Sequence, residues 1–218
     1  SLLRHQQRSE NMNTINVNGN TVQPSKILCV GRNYRAHIEE LGNEIPDSMV
    51  VFNKPNSAIS GTLYSDINNQ PLHYESELAF TVKEGKLDAV GFGLDLTKRA
   101  LQSTLKAKGL PWERAKAFDG AALFSAFVTL PKDIEGLSLQ LNVDGEQRQA
   151  GGISLMIYTP VQIIRELETF TTLEDGDIIM TGTPAGVGEI KAGQDFEGKV
   201  LLAGKTLVSA TWIAVTSA

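Results

Sequence analysis

Short alternating apolar segments closed by turn dipeptides govern this chain: "INVNGNTV" reverses at Asn18-Gly19 and "LSLQLNVDGEQRQAG" at Asp144-Gly145. Asn-Gly and Asp-Gly tolerate the left-handed backbone that a two-residue hairpin turn requires. "KILCVG", "MVVFNKP", "HYESELAFTV", "AVGFGLDLT", "DIIMTG" and "TLVSATWIAV" read as further strands. Helical spacing is confined to three places. One short helix follows Asn33, which can cap it, and ends near Gly42; "KRALQSTLKAK" is capped by Thr97 and stopped by Gly109 and Pro111. The third has Thr159 as cap and Pro160 first, with Ile163, Ile164, Leu167 and Phe170 facing inward. Many strands with few helices predict a β-rich α+β fold in one domain, residues 12–218, with residues 1–11 an extension that carries no function.

With 218 residues, 41% of them hydrophobic, the chain can build one sizeable core. Its 20 Lys and Arg against 25 Asp and Glu leave a net charge of -5, which argues against a nucleic-acid surface and against an anionic membrane, so small metabolites are the expected partners. The single cysteine, Cys29, sits in the apolar run "KILCV"; a disulfide framework is excluded, and a cytoplasmic location is expected. No apolar run approaches the roughly 20 residues that span a bilayer.

In "HYESELAF" alternation puts Tyr74, Ser76, Leu78 and Phe80 on one face and His73, Glu75, Glu77 and Ala79 on the other. Glu75 and Glu77 then project together about 7 Å apart, close enough to reach one divalent cation that would remove their repulsion. A solvated strand face with two glutamates would show the same pattern. Asp95, at the end of the next apolar strand in "GFGLDLT", adds a third carboxylate, because strands adjacent in sequence usually pair in space. Three hard oxygen donors without a Cys or His cluster suit Mg²⁺ or Mn²⁺, admit Ca²⁺ and disfavour Zn²⁺. His73 is expected beside the site rather than as a ligand.

His37 and Glu40 stand three apart on the short helix, a spacing that lets the carboxylate orient the imidazole, although a surface pair would look alike. Arg99, Gln102 and Lys106 form a polar stripe on the longer helix. "TGTPAGVG", Thr181 to Gly188, offers hydroxyls and backbone N–H groups to a carboxylate or enolate oxygen, or is a plain turn. It has neither the Walker nor the dinucleotide-binding spacing.

The segments "KILCVGRNYRAHIEEL", "FNKPNSAI", "HYESELAF", "GLDLTKRALQSTLKAKGLPWERAKAFD", "LNVDGEQRQ" and "LEDGDIIMTGTPAGVG" together resemble the fumarylacetoacetate hydrolase family, in particular its compact acylpyruvate hydrolase and oxaloacetate decarboxylase branch. The resemblance implies a mixed β-roll, usually a homodimer, with Mg²⁺ or Mn²⁺ on Glu75, Glu77 and Asp95. It implies a catalytic His37–Glu40 pair and an active-site Lys116, with Arg99, Gln102, Thr183 and Lys54 at substrate-contacting positions. The implied activity is hydrolysis of a C–C bond in acylpyruvates, giving pyruvate and a carboxylic acid. Oxaloacetate decarboxylation or isomerisation of a 2-oxo acid, as in the catabolism of aromatic compounds, is the alternative, and a metal-dependent binding module without turnover is the non-enzymatic one. Only 17 residues separate Glu77 from Asp95, fewer than is common in the family.

Overall fold

The computed structural model describes residues 12–217, so the extension expected at residues 1–11 lies outside the described residues. The principal strands are β1 (Lys26–Gly31), β2 (Val50–Pro55), β3 (Ser76–Lys83), β4 (Lys86–Asp95), β5 (Ala122–Phe124), β6 (Val128–Thr129), β7 (Leu137–Val143), β8 (Glu146–Gly152), β9 (Ile178–Met180), β10 (Asp195–Leu202) and β11 (Lys205–Ile213). The helices are α1 (Arg35–Glu40), α2 (Arg99–Ala107), α3 (Glu113–Lys116) and α4 (Pro160–Leu167). One mixed sheet runs β5-β4-β3-β9-β1-β2, with β6 also on β4; a second, antiparallel sheet runs β8-β7-β10-β11. This is the strand-rich α+β arrangement expected. No described helix is long and apolar enough to cross a membrane.

The two sheets close on each other through alternation. Leu137, Leu139, Leu141 and Val143 of β7 point into one cluster with Leu78 and Phe80 of β3 and Phe92 and Leu94 of β4. β10 approaches so closely that a Cβ on Gly198 would lie 2.2 Å from the Phe92 ring, so only glycine lets that ring seat. On the far side of the mixed sheet, Ile163, Ile164 and Leu167 of α4 cover Leu28, Val30 and Ile179. Thr159 caps α4 as expected, and Gln162 completes a capping box with it. Phe170, expected to face inward, lies beyond the end of α4 and is 62% exposed.

β9 runs parallel to β1, which sets their N-terminal ends side by side at one carboxylate. Asp177 accepts hydrogen bonds from Ser25 Oγ at 2.6 Å and Glu174 N at 2.9 Å and pairs with Lys26 Nζ at 2.6 Å. Burial acts to raise its pKa, but the bonds from Lys26 and Ser25 prevail and hold it below the usual range. Asp177→Ala is therefore expected to cost about 2–3 kcal/mol at neutral pH. A carboxyl whose folded pKa is depressed stabilises fully above its unfolded value of about 3.9, and the contribution is lost as pH falls through the folded value. Urea midpoints of wild type and variant should therefore converge in acid; a gap that persists there would assign the loss to packing instead.

Two expected caps are used differently. α1 begins after Tyr34 without a side-chain cap, and Asn33 instead donates through Nδ2 to Tyr158 O and Thr181 O. α2 begins after Lys98, and the Thr97 hydroxyl meets Lys116 Nζ at 2.6 Å. In both cases a buried polar partner outcompetes the helix end for the side chain.

Candidate active site

β3 and β4 form a hairpin turning at Glu84-Gly85, with a register shift at Thr81/Val82 and Glu77 opposite Gly93, so the short connection brings the carboxylate ends of both strands together. Asp95 N donates to Glu75 O at 2.8 Å, extending that ladder by one step. Glu75, Glu77 and Asp95 offer oxygens that all lie within 4.8 Å of one another. The face expected to be free for a cation is not solvated: the three residues are 5%, 1% and 1% exposed.

Two lysines and an arginine offset part of this charge. Lys116, at the end of α3, places Nζ 2.9 Å from Glu75 Oε2 and 2.8 Å from Asp95 Oδ2. Arg99, in the first turn of α2, pairs with Glu75 Oε1 at 2.5 Å and donates to Gln102 Oε1 at 2.8 Å. Burial acts to raise the Glu75 pKa, yet Lys116 and Arg99 hold it well below the carboxylate range. Burial likewise acts to lower Lys116, and Asp95 and Glu75 outweigh it, so the amine is raised. Among the described residues Glu77 forms no ion pair and takes its one hydrogen bond from Gly182 N at 2.8 Å, and burial together with Asp95 and Glu75 pushes its pKa well above the usual range. A hard divalent cation fits this donor set: it supplies the positive charge that Glu77 lacks, and no Cys or His stands among the three donors.

Except for Glu40 and Lys54, the candidates expected from sequence line one cleft. Lys54 is wholly buried behind it, with Nζ 2.7 Å from Asp95 Oδ1, off the axis of a hydrogen bond, and donating to the carbonyls of Leu96 and Lys116. The structure thus sets Lys54, expected as a substrate contact, behind the cleft, where its amine meets Asp95 and two main-chain carbonyls. His37 lines the cleft and holds Glu40 Oε2 at 3.1 Å through Nδ1, which leaves Nε2 for a ligand. Glu40 is in turn fixed by Gly186 N at 2.9 Å.

The Thr181–Gly188 loop therefore joins the two halves of the site: Gly182 holds Glu77, and Gly186 holds Glu40. Gly186 has φ +102, and a Cβ there would meet Arg148 O at 1.9 Å. Gly186→Ala is expected to displace the loop and lower turnover by about 10-fold or more, with affinity for the metal changed less. An unchanged rate in a folded variant would remove Glu40's anchor from the account.

Gln149 was not foreseen. Its buried amide accepts from Ser76 N and Oγ, between the two glutamates, and donates to Thr183 Oγ1 at 2.8 Å and Pro184 O at 2.8 Å. It stands in an alternating hairpin strand, where one glutamine among polar neighbours gives no signal. Arg32 was not singled out in the sequence, and Lys106 appeared only as part of a polar stripe; both line the cleft. Arg32 has φ +55, and the other described non-glycine residues with positive φ all fall in two-residue turns between strands. A bulky side chain held there costs about 1–3 kcal/mol, a strain that concentrates at functional sites.

Residues 26–213 match the fumarylacetoacetate (FAA) hydrolase C-terminal family. The chain is 40% identical over 188 residues to the mitochondrial oxaloacetate tautomerase FAHD1 of Arabidopsis thaliana, covering 79% of this chain and 84% of that protein. It is 38% identical over 186 residues to the mitochondrial oxaloacetate decarboxylase of Dictyostelium discoideum, covering 78% and 85%. Among solved structures, fumarylpyruvate hydrolase from Pseudomonas aeruginosa in complex with Mn²⁺ and pyruvate superimposes with a TM-score of 0.85 at 29% identity, covering 96% of this chain and 98% of that one. The hairpin that carries the buried carboxylates lies within the matched residues, and the chain belongs to the fumarylacetoacetate hydrolase family.

Proposed function

We propose that the protein interconverts the enol and keto forms of oxaloacetate, with loss of its carboxylate at C4 as a second reaction of the same site. The observation that carries this reading is that the buried carboxylate triad and the His37–Glu40 pair serve one cleft. The oxaloacetate tautomerase and decarboxylase relatives favour it over acylpyruvate hydrolysis, which rests on the more distant fumarylpyruvate hydrolase.

Glu75, Glu77 and Asp95 would hold Mg²⁺ or Mn²⁺, which, when bound, draws electron density from the 2-oxo group and makes a C3 proton more acidic. Arg99, Gln102 and Thr183 orient the carboxylate next to that group. Lys116 adds a positive charge where the oxygen gains negative charge. His37 Nε2 exchanges a proton with C3, while Glu40 on Nδ1 fixes the tautomer and orientation of the ring. The proton on the enol oxygen exchanges with solvent. Breaking the C3–C4 bond instead releases CO₂ and leaves its electron pair on the same delocalised system, a step that needs no base. The working unit is proposed as a homodimer.

The test is a comparison on one Mg²⁺- or Mn²⁺-loaded preparation. Enol-oxaloacetate is followed by loss of its ultraviolet absorbance, keto-oxaloacetate by CO₂ release and acetylpyruvate by acetate formation. Tautomerisation is expected to be fastest. Acetate formation exceeding both other rates would replace the proposal by C–C hydrolysis, and three inert substrates would leave a binding module.

A further inference from the structure

Arg32 and Lys106 face the same cleft as the triad, yet neither forms an ion pair among the described residues. Lys106 Nζ donates to the neutral Asn43 Oδ1 at 2.9 Å and lies 5.8 Å from the Trp112 ring centroid. Arg32 Nε is buried without a hydrogen-bond partner. Deeper in the site, Lys54, Arg99 and Lys116 make the ion pairs of Glu75 and Asp95, and neither Arg32 nor Lys106 takes part in them. Burial, then Arg32 and Arg99, lower the Lys106 pKa against the opposing effect of Glu75, so both guanidinium groups act on that amine. Cations gathered this way repel unless an anion sits among them, and the planar guanidinium suits a carboxylate.

We infer that Arg32 and Lys106 form a second anion subsite, which receives the distal carboxylate of a dicarboxylic 2-oxo acid and selects it over monocarboxylic acids of the same length. The inference rests on the proposed function for the identity of the substrate. It adds a basis for selectivity to that reading. Arg99 and Gln102 serve the carboxylate at the metal end; Arg32, on the loop after β1, and Lys106, two turns further along α2, serve the other. The left-handed backbone at Arg32 is maintained against its steric cost at this wall of the cleft.

The probes are malate and 2-hydroxybutanoate, a stable pair that differs only by a distal carboxylate in place of a methyl group. Their dissociation constants are measured by titration calorimetry on the Mg²⁺-loaded wild type and on Arg32→Met and Lys106→Met. Wild type is expected to bind malate about 10-fold or more tightly than 2-hydroxybutanoate. Each variant should bring that ratio below about 3 and leave 2-hydroxybutanoate within about 2-fold, and Arg32→Lys should restore part of the preference. Should Arg32→Met not fold, Lys106→Met alone decides. Equal affinities in wild type, a ratio unchanged in the variants, or no binding of either probe would overturn the subsite. Malate preference in a protein that does not turn over oxaloacetate would overturn the functional reading alone, and turnover without preference would overturn the subsite alone.

Discussion

Glu77→Ala is expected to lower affinity for Mg²⁺ or Mn²⁺ by at least about 10²-fold and oxaloacetate turnover by about 10³-fold, since even groups behind the ligands of a metal site are worth 10–100-fold. Glu77 is the carboxylate of the triad that forms no ion pair among the described residues, so an incoming cation gains most from it. The metal-free protein should respond in the opposite sense to Glu77→Gln, which keeps the shape and removes the charge. Burial and the neighbouring Asp95 and Glu75 disfavour the ionised carboxyl, so the amide relieves repulsion and should raise Tm by about 2–4 °C in chelator. A carboxyl with a raised folded pKa takes up protons on folding above its unfolded value of about 4.3, so metal-free wild type loses stability as pH rises from there. The glutamine variant should not share that slope. Titration calorimetry and scanning calorimetry read both effects; undiminished metal affinity in Glu77→Ala would move the metal elsewhere.

His37→Ala is expected to reduce tautomerisation by about 10²- to 10⁴-fold, the usual contribution of a positioned acid–base group, with metal affinity unchanged. Decarboxylation, which needs no base, should fall less than about 10-fold. Glu40→Gln should act in the same direction with smaller effect, because it alters how the imidazole is held without removing it. kcat/KM for both reactions, at fixed metal concentration, gives each loss as a free energy. Equal losses in the two reactions would end the division between base and metal.

Much of this was legible because it depends on local rules. Asp144-Gly145 and Asn18-Gly19 have the positive φ pairs that their dipeptides promise, and Thr159 and Pro160 form the helix start their order implies. Glu75, Glu77 and Asp95 converge because a tight hairpin converts sequence adjacency into spatial adjacency. What was not legible depends on distant partners. Alternation alone suggested that the glutamates look outward, but the Thr181–Gly188 loop and α3 cover them. Lys54, implied by the resemblance as a substrate contact, is carried behind Asp95 by β2, a placement that only the sheet register sets. Asn33 and Thr97 carry the chemistry of caps, but segments 148 residues and 19 residues away in sequence claim their side chains.

The course of α2 across the cleft has a bearing on how such a protein can be retargeted. Its first turn is committed to the reaction, because Arg99 is bound to Glu75 and Gln102 to Arg99. By Lys106 the helix has travelled about 10 Å along its axis, and its side chain holds only a neutral amide and an aromatic face. Exchanging that one residue leaves every contact of the triad in place. On the proposed subsite, a lineage or a designer would change which acids are accepted by altering the far end of one helix, while the carboxylate triad, held by strands and buried amines, is inherited unaltered.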